Sequence, residues 1–164
     1  NDSIFDNSID VPVDEIDGLI AECLQYWQRL KSDQTAPTWR AFCIMDLPVK
    51  AIPFVSIVDI KRDPIQFIYR FWGTGHVAAK QVERTGLAVT DHTQGHCEYI
   101  QVTETCQPQA FKRHIRLPEP KPPITQLTLR LPLLGADGSV DHIFSVSNWW
   151  TFREFWHDIQ YSAN

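Results

Sequence analysis

The chain has 164 residues, 43% of them hydrophobic, enough for one sizeable core and too few for two full domains. Its 15 basic and 20 acidic residues give a net charge of -5, and no basic block is longer than Lys61-Arg62 or Lys112-Arg113, so nothing would neutralise a row of phosphates and no nucleic-acid partner is expected. Four cysteines without a C-x-x-C pair suggest free thiols in a reducing compartment. No apolar run reaches the roughly 18 residues of a membrane span, and the polar start NDSIFDNS is unlike a signal peptide, so a cytoplasmic protein that avoids the membrane is expected.

From Val13 to Leu30 the apolar residues Ile16, Leu19, Ile20, Cys23, Leu24, Trp27 and Leu30 recur every three or four positions. That spacing predicts an amphipathic helix, with Asp14 and Glu15 suitably placed in its first turn. Prolines confine the stretch Pro37–Pro53 to short turns. Phe54–Ile60 and Ile65–Trp72 are apolar, β-branched or aromatic and are separated by Lys61-Arg62-Asp63-Pro64, which predicts a hairpin. His76–Arg84 suits a short helix capped by Gly86, and His96–Thr105 another. A middle strand is expected near Ala110–Arg116, then an extended proline-rich piece, Glu119–Pro123. Thr125–Leu134 and His142–Trp149 flank Asp137-Gly138, a strong turn signal, and form a second hairpin. The tail Thr151–Tyr161 can add a last helical turn or two.

This order defines an α+β plan around an antiparallel sheet. Its organisation is an N-terminal helix and connecting segment over 1–53, a core over 54–150 and a C-terminal tail over 151–164.

Gly73-Thr74-Gly75-His76-Val77-Ala78 spells the dinucleotide-binding pattern G-x-G-x-x-A, with Asp91 beyond a second apolar run. A dinucleotide fold requires parallel strands on either side of its helix, but here the preceding strand already has an upstream hairpin partner. The intervening helix could hold only about nine residues before Gly86, a marginal length for a crossover. The expectation is that Gly73 and Gly75 use positive backbone dihedrals to leave the strand, and that an NAD-linked enzyme is only the alternative.

Strict alternation in Ile65–Trp72 would point Phe67, Tyr69 and Phe71 one way and Ile68, Arg70 and Trp72 the other. Both sets are largely apolar, which predicts cover on both faces and leaves Arg70 in need of a partner, either an internal carboxylate or an anionic ligand.

The ordered elements Tyr26-Trp27-x-x-Leu30, Pro37-x-x-Arg40, Phe67-x-Tyr69-Arg70-x-x-Gly73-Thr74, Arg84-Thr85-Gly86 and Leu131-Pro132-Leu133-Leu134-x-x-Asp137-Gly138 resemble the short PAS-like proteins of bacteria, over about Ile16 to Trp149. The resemblance implies a five-stranded antiparallel PAS sheet, a short-helix layer over a small cavity, and an N-terminal amphipathic helix that often mediates dimerisation. It implies a sensory or regulatory role without shared catalytic residues.

Ligand contacts are then expected from the second strand, the short helices and the last strand: Tyr69, Arg70, Phe71, Trp72, His76, His96 and Trp149. A homodimer, a small-molecule ligand and a partner signalling protein are the expected associations. No cofactor is specified. His76, His92 or His96 could hold haem but form no motif, and no cysteine has the surroundings of a flavin-photosensing domain. His92, His96 and Cys97 lack further ligands at metal-site spacing, and Ser145 and Ser147 near His142 form no nucleophile elbow, so no enzymatic activity is expected. A purely structural dimer module with a filled core is the other alternative.

Overall fold

In a computed structural model, residues 8–80, 82–115, 119–120 and 123–149 are described. The tail expected over 151–161, Trp150, Trp156 and parts of the Arg116 strand end and the Glu119–Pro123 stretch lie outside the described residues.

Among the described residues six strands form one antiparallel sheet: β1 (Ile9–Val11), β2 (Val55–Lys61), β3 (Gln66–Trp72), β4 (Gln109–Ile115), β5 (Ile124–Leu134) and β6 (Val140–Ser147), in the order β1-β4-β5-β6-β2-β3. Both expected hairpins pair, β2 with β3 and β5 with β6, and the expected middle strand is β4. The sixth strand is a correction to the five-strand expectation. No strand is expected ahead of Val13, yet residues 9–11 pair along the edge of β4, with Asp10 opposite Phe111. Backbone pairing along an open edge needs no apolar alternation, so composition alone could not show it.

The helices are α1 (Gly18–Lys31), α2 (Thr74–Lys80) and α3 (Gln94–Thr105). Val13–Glu15 forms a separate 3-10 turn before α1, and Gly86 takes φ +85 in a loop turn well past α2 instead of capping it. The strand expected to reach Trp149 ends at Ser147.

The two sheet faces differ in chemistry. On one, Ile20, Cys23, Leu24 and Trp27 of α1 pack on Leu129, Leu131, Leu133, Phe144, Val146, Val55 and Ile57. Trp27 Nε1 donates to Pro132 O at 2.8 Å, tying the helix to β5. The residues of α1 left exposed are polar, among them Glu22, Gln25, Gln28 and Arg29. Much of its apolar stripe is therefore spent on its own sheet.

On the opposite face, Tyr99 and Val102 of α3 cover Val58, Ile60, Phe67 and Ile143. Beyond that apolar end the same face turns polar, with Ser56, Gln126, Thr128, Arg130, Ser145 and Ser147 all buried.

The candidate ligand face beneath α2 and α3

Pairing registers align Trp72 of β3, Ser56 of β2, Ser145 of β6 and Arg130 of β5 in one cross-strand row. Directly opposed residues share a face, and the neighbouring pair Thr128 and Ser147, also on this face, is joined hydroxyl to hydroxyl at 2.8 Å.

Arg130 anchors the row. Its Nε donates to Glu98 Oε1 at 2.9 Å, its Nη1 donates to Ser145 Oγ at 2.9 Å, and its guanidinium carbon lies 4.2 Å from the Tyr99 ring centroid. The second carboxylate oxygen of Glu98 accepts from Arg113 Nη2 at 2.5 Å and from Ser8 Oγ at 2.7 Å. Both carboxylate oxygens are thus satisfied although the Glu98 side chain is 1% exposed. Burial by itself would raise the Glu98 pKa, but Arg130, Arg113 and the Ser8 hydroxyl outweigh it and hold the carboxyl below its ordinary range.

Around this row stand aromatic rings. Phe67 stacks on Tyr99 with centroids 5.2 Å apart, Tyr69 meets Trp72 edge-on at 5.0 Å, and Trp72 stacks on His76 at 4.5 Å. Burial pushes the Tyr69 phenol well above its usual pKa, with Tyr99 beside it adding to the shift. His76 is buried and its Nε2 lies 2.9 Å from Phe54 O, while Trp72 Nε1 donates to Val82 O at 2.8 Å.

Of the residues expected at the site, Tyr69, Trp72 and His76 fall together on this face. His96 sits at its α3 edge, 5.5 Å from Phe67 by ring centroids, with Nε2 3.4 Å from Asp91 Oδ1. Trp149 is fully buried just past β6. Arg70 and Phe71 do not join them. A bulge between Ile57 and Val58 pairs Ile57 with Phe71 and Val58 with Tyr69, so Arg70 is the extra residue on β3. Phe71 consequently packs against the α1-side core, and Tyr69 and Trp72 share a face that simple alternation would have denied them.

Arg70 is exposed, not covered. Its Nε donates to Asp59 Oδ1 at 2.6 Å, and its guanidinium lies over Trp39 at 5.6 Å. An internal carboxylate was one of the two expectations, but this carboxylate, on β2, meets Arg70 at the surface and not in the interior. Next to it His142 stands between two carboxylates, with Nε2 3.0 Å from Asp59 Oδ1 and Nδ1 2.6 Å from Asp141 Oδ1, and stacks on Trp39 at 3.9 Å.

The glycine string is explained by close packing. Neither Gly73 nor Gly75 has a positive φ, contrary to expectation. Instead a Cβ on Gly73 would lie 2.1 Å from Pro53 O, and one on Gly75 would lie 2.5 Å from the Phe54 ring. Only hydrogen fits in either place. The segment after α2 returns antiparallel to β3, through an Ile68–Ala88 bridge and the bonds Tyr69 N to Leu87 O and Val89 N to Phe67 O. This is not the parallel crossover of a dinucleotide fold.

Glu98, Arg130, Arg113, Tyr99 and Ser145 were missed from the sequence. One signal was present: Arg130 lies in an otherwise apolar strand, LTLRLPLL, the same pattern that drew attention to Arg70.

No protein-family model matches the chain, and no curated protein does. Among solved structures, one similar chain is an RNA-binding Light-Oxygen-Voltage receptor, at TM-score 0.37 and 12% identity. The alignment covers 93% of this chain and 40% of the receptor's, so the chain spans well under half of that protein's length. Among the described residues, no helix is long and apolar enough to cross a membrane.

Proposed function

We propose that this chain is a PAS-like sensory or regulatory module that performs no chemistry and takes a small, partly apolar molecule between the sheet and α2 and α3. The observation that carries this reading is the polar row Trp72–Ser56–Ser145–Arg130, whose last three members are 5%, 2% and 6% exposed. A core built only for stability is better served by apolar side chains, as the α1-side face of the same strands is. Polar groups placed singly among aromatic rings are the usual lining of a small-molecule site. The resemblance in sequence supports the PAS-like plan, and so do the five strands β2 to β6 with both short helices inserted between β3 and β4.

A module of this kind acts through a second copy of itself or through a partner signalling protein. Because much of the stripe of α1 is buried in its own protomer, a homodimer contact would use another surface.

Native mass spectrometry of gently purified protein tests the reading. A bound mass released by mild activation is the expected result, and an absorbance spectrum identifies haem or flavin. A bare chain mass in every preparation, with no small molecule shifting the melting temperature, would favour the structural module instead.

A further inference from the structure

Resting on that reading, we infer that the molecule bound on this face is a small monocarboxylate, received by Arg130 beside Gly95 at the start of α3. The first argument is charge. The buried cluster holds two guanidinium groups, Arg113 and Arg130, against one carboxylate, Glu98, with side chains 12%, 8% and 1% exposed. Among the described residues its other hydrogen-bonded partners are two neutral hydroxyls, those of Ser8 and Ser145. Among the described residues one positive charge is therefore left without a carboxylate, and a buried charge of that kind calls for a counter-charge.

The second argument is donor capacity. A guanidinium has five N–H donors. The hydrogen bonds of Arg130 use Nε and Nη1, and among the described residues none reaches Nη2.

The third is access. Among the described residues, the sole neighbour beyond its own helix within 4 Å of the position a Cβ would take on half-buried Gly95 is Arg130 Nη2, at 3.9 Å. The missing side chain leaves space immediately beside the uncommitted amine. Gly95 also lies in the first turn of α3, whose backbone bonding starts with Cys97 N to Thr93 O while the Thr93 hydroxyl accepts from His96 N, so the helix end adds positive partial charge there. A monoanion balances the single excess charge, whereas a phosphate dianion would reverse it. The rings of Tyr69, Phe67 and Tyr99 provide for an apolar body.

The full chain is titrated with acetate, benzoate and phenylacetate, and in parallel with acetamide, benzamide, phenylacetamide and inorganic phosphate, up to about 10 mM at constant ionic strength, near the weak end of measurable affinity. At least one carboxylate should raise the melting temperature saturably by about 4 °C or more, while its amide does little. Gly95→Leu fills the space beside Nη2 without removing any bond of Arg130, and leucine favours a helix over glycine. That variant should melt no lower than the parent and lose at least tenfold in carboxylate affinity. Arg130→Lys, which keeps a charge for Glu98 but has no Nη2, should lose a similar factor. Equal responses to acid and amide would overturn the carboxylate assignment while leaving small-molecule binding in place. A carboxylate response unchanged in both variants, a stronger response to inorganic phosphate, or no response to any of the three acids would each overturn the inference.

Discussion

Arg130 and Glu98, 32 residues apart in the chain, meet Nε to Oε1 at 2.9 Å in the layer between sheet and α3, and both are shielded from water. Their pairing fixes α3 over β5, and the Ser8 hydroxyl on the same carboxylate ties in the residue that precedes β1.

Breaking this pair from one side leaves charge stranded in the interior. Glu98→Gln should cost about 3 to 5 kcal/mol, enough to consume much of a domain's stability. Arg70→Met removes a pair whose arginine side chain is 51% exposed and should cost under about 1 kcal/mol. Urea unfolding of the two variants checks the contrast, and a larger loss for Arg70→Met would reverse the ranking of the two arginines.

The depressed pKa of Glu98 has a signed consequence for acid stability. A carboxyl whose folded pKa lies below its unfolded value, about 4.3 for glutamate, stabilises fully above that value and loses the contribution as pH falls through the folded one. The stability gap between parent and Glu98→Gln should therefore be widest near neutrality and shrink below about pH 4. Denaturation midpoints measured across that range decide it; a gap that does not change with pH would contradict the assigned cause.

Gly73→Val must displace backbone, since even a Cβ would lie 2.1 Å from Pro53 O. A loss of about 3 kcal/mol or more is expected, at the upper end of overpacking effects. Titration with NAD(H) to about millimolar should give no saturable signal on the parent. A folded, stable Gly73→Val protein that has lost measurable NAD(H) binding would restore the nucleotide reading.

Thiol accessibility should follow burial. Cys43 and Cys97 are exposed and should react promptly with a chromogenic disulfide at pH 8. Half-buried Cys106, whose pKa burial raises, should react more slowly. Cys23 is fully buried, and burial together with the charge of Glu22 pushes its pKa up to about 12, so it should react only on unfolding. Prompt reaction of Cys23 in the native protein would show that α1 opens readily.

The sequence by itself determined the elements whose signals are local. The spacing of Ile16, Ile20, Cys23, Leu24 and Trp27 implied α1, and both antiparallel hairpins followed from apolar runs around turn residues. Local physics also implied that Arg70, within an apolar strand, needs a partner, an internal carboxylate or an anionic ligand; Asp59 meets that need, and Glu98 does the same for Arg130. Which arginine would be buried was decided only by tertiary structure. Arg70 lies on an edge strand, and an extra residue in that strand, which depends on the partner's register, turns it toward the surface. Arg130 lies on β5, an interior strand of the sheet, beneath a helix whose Glu98 looks in sequence like any solvated helical glutamate. Periodicity can report which residues share a face of one element; it carries no information about which distant element will cover that face, and the burial of a charge depends on that cover.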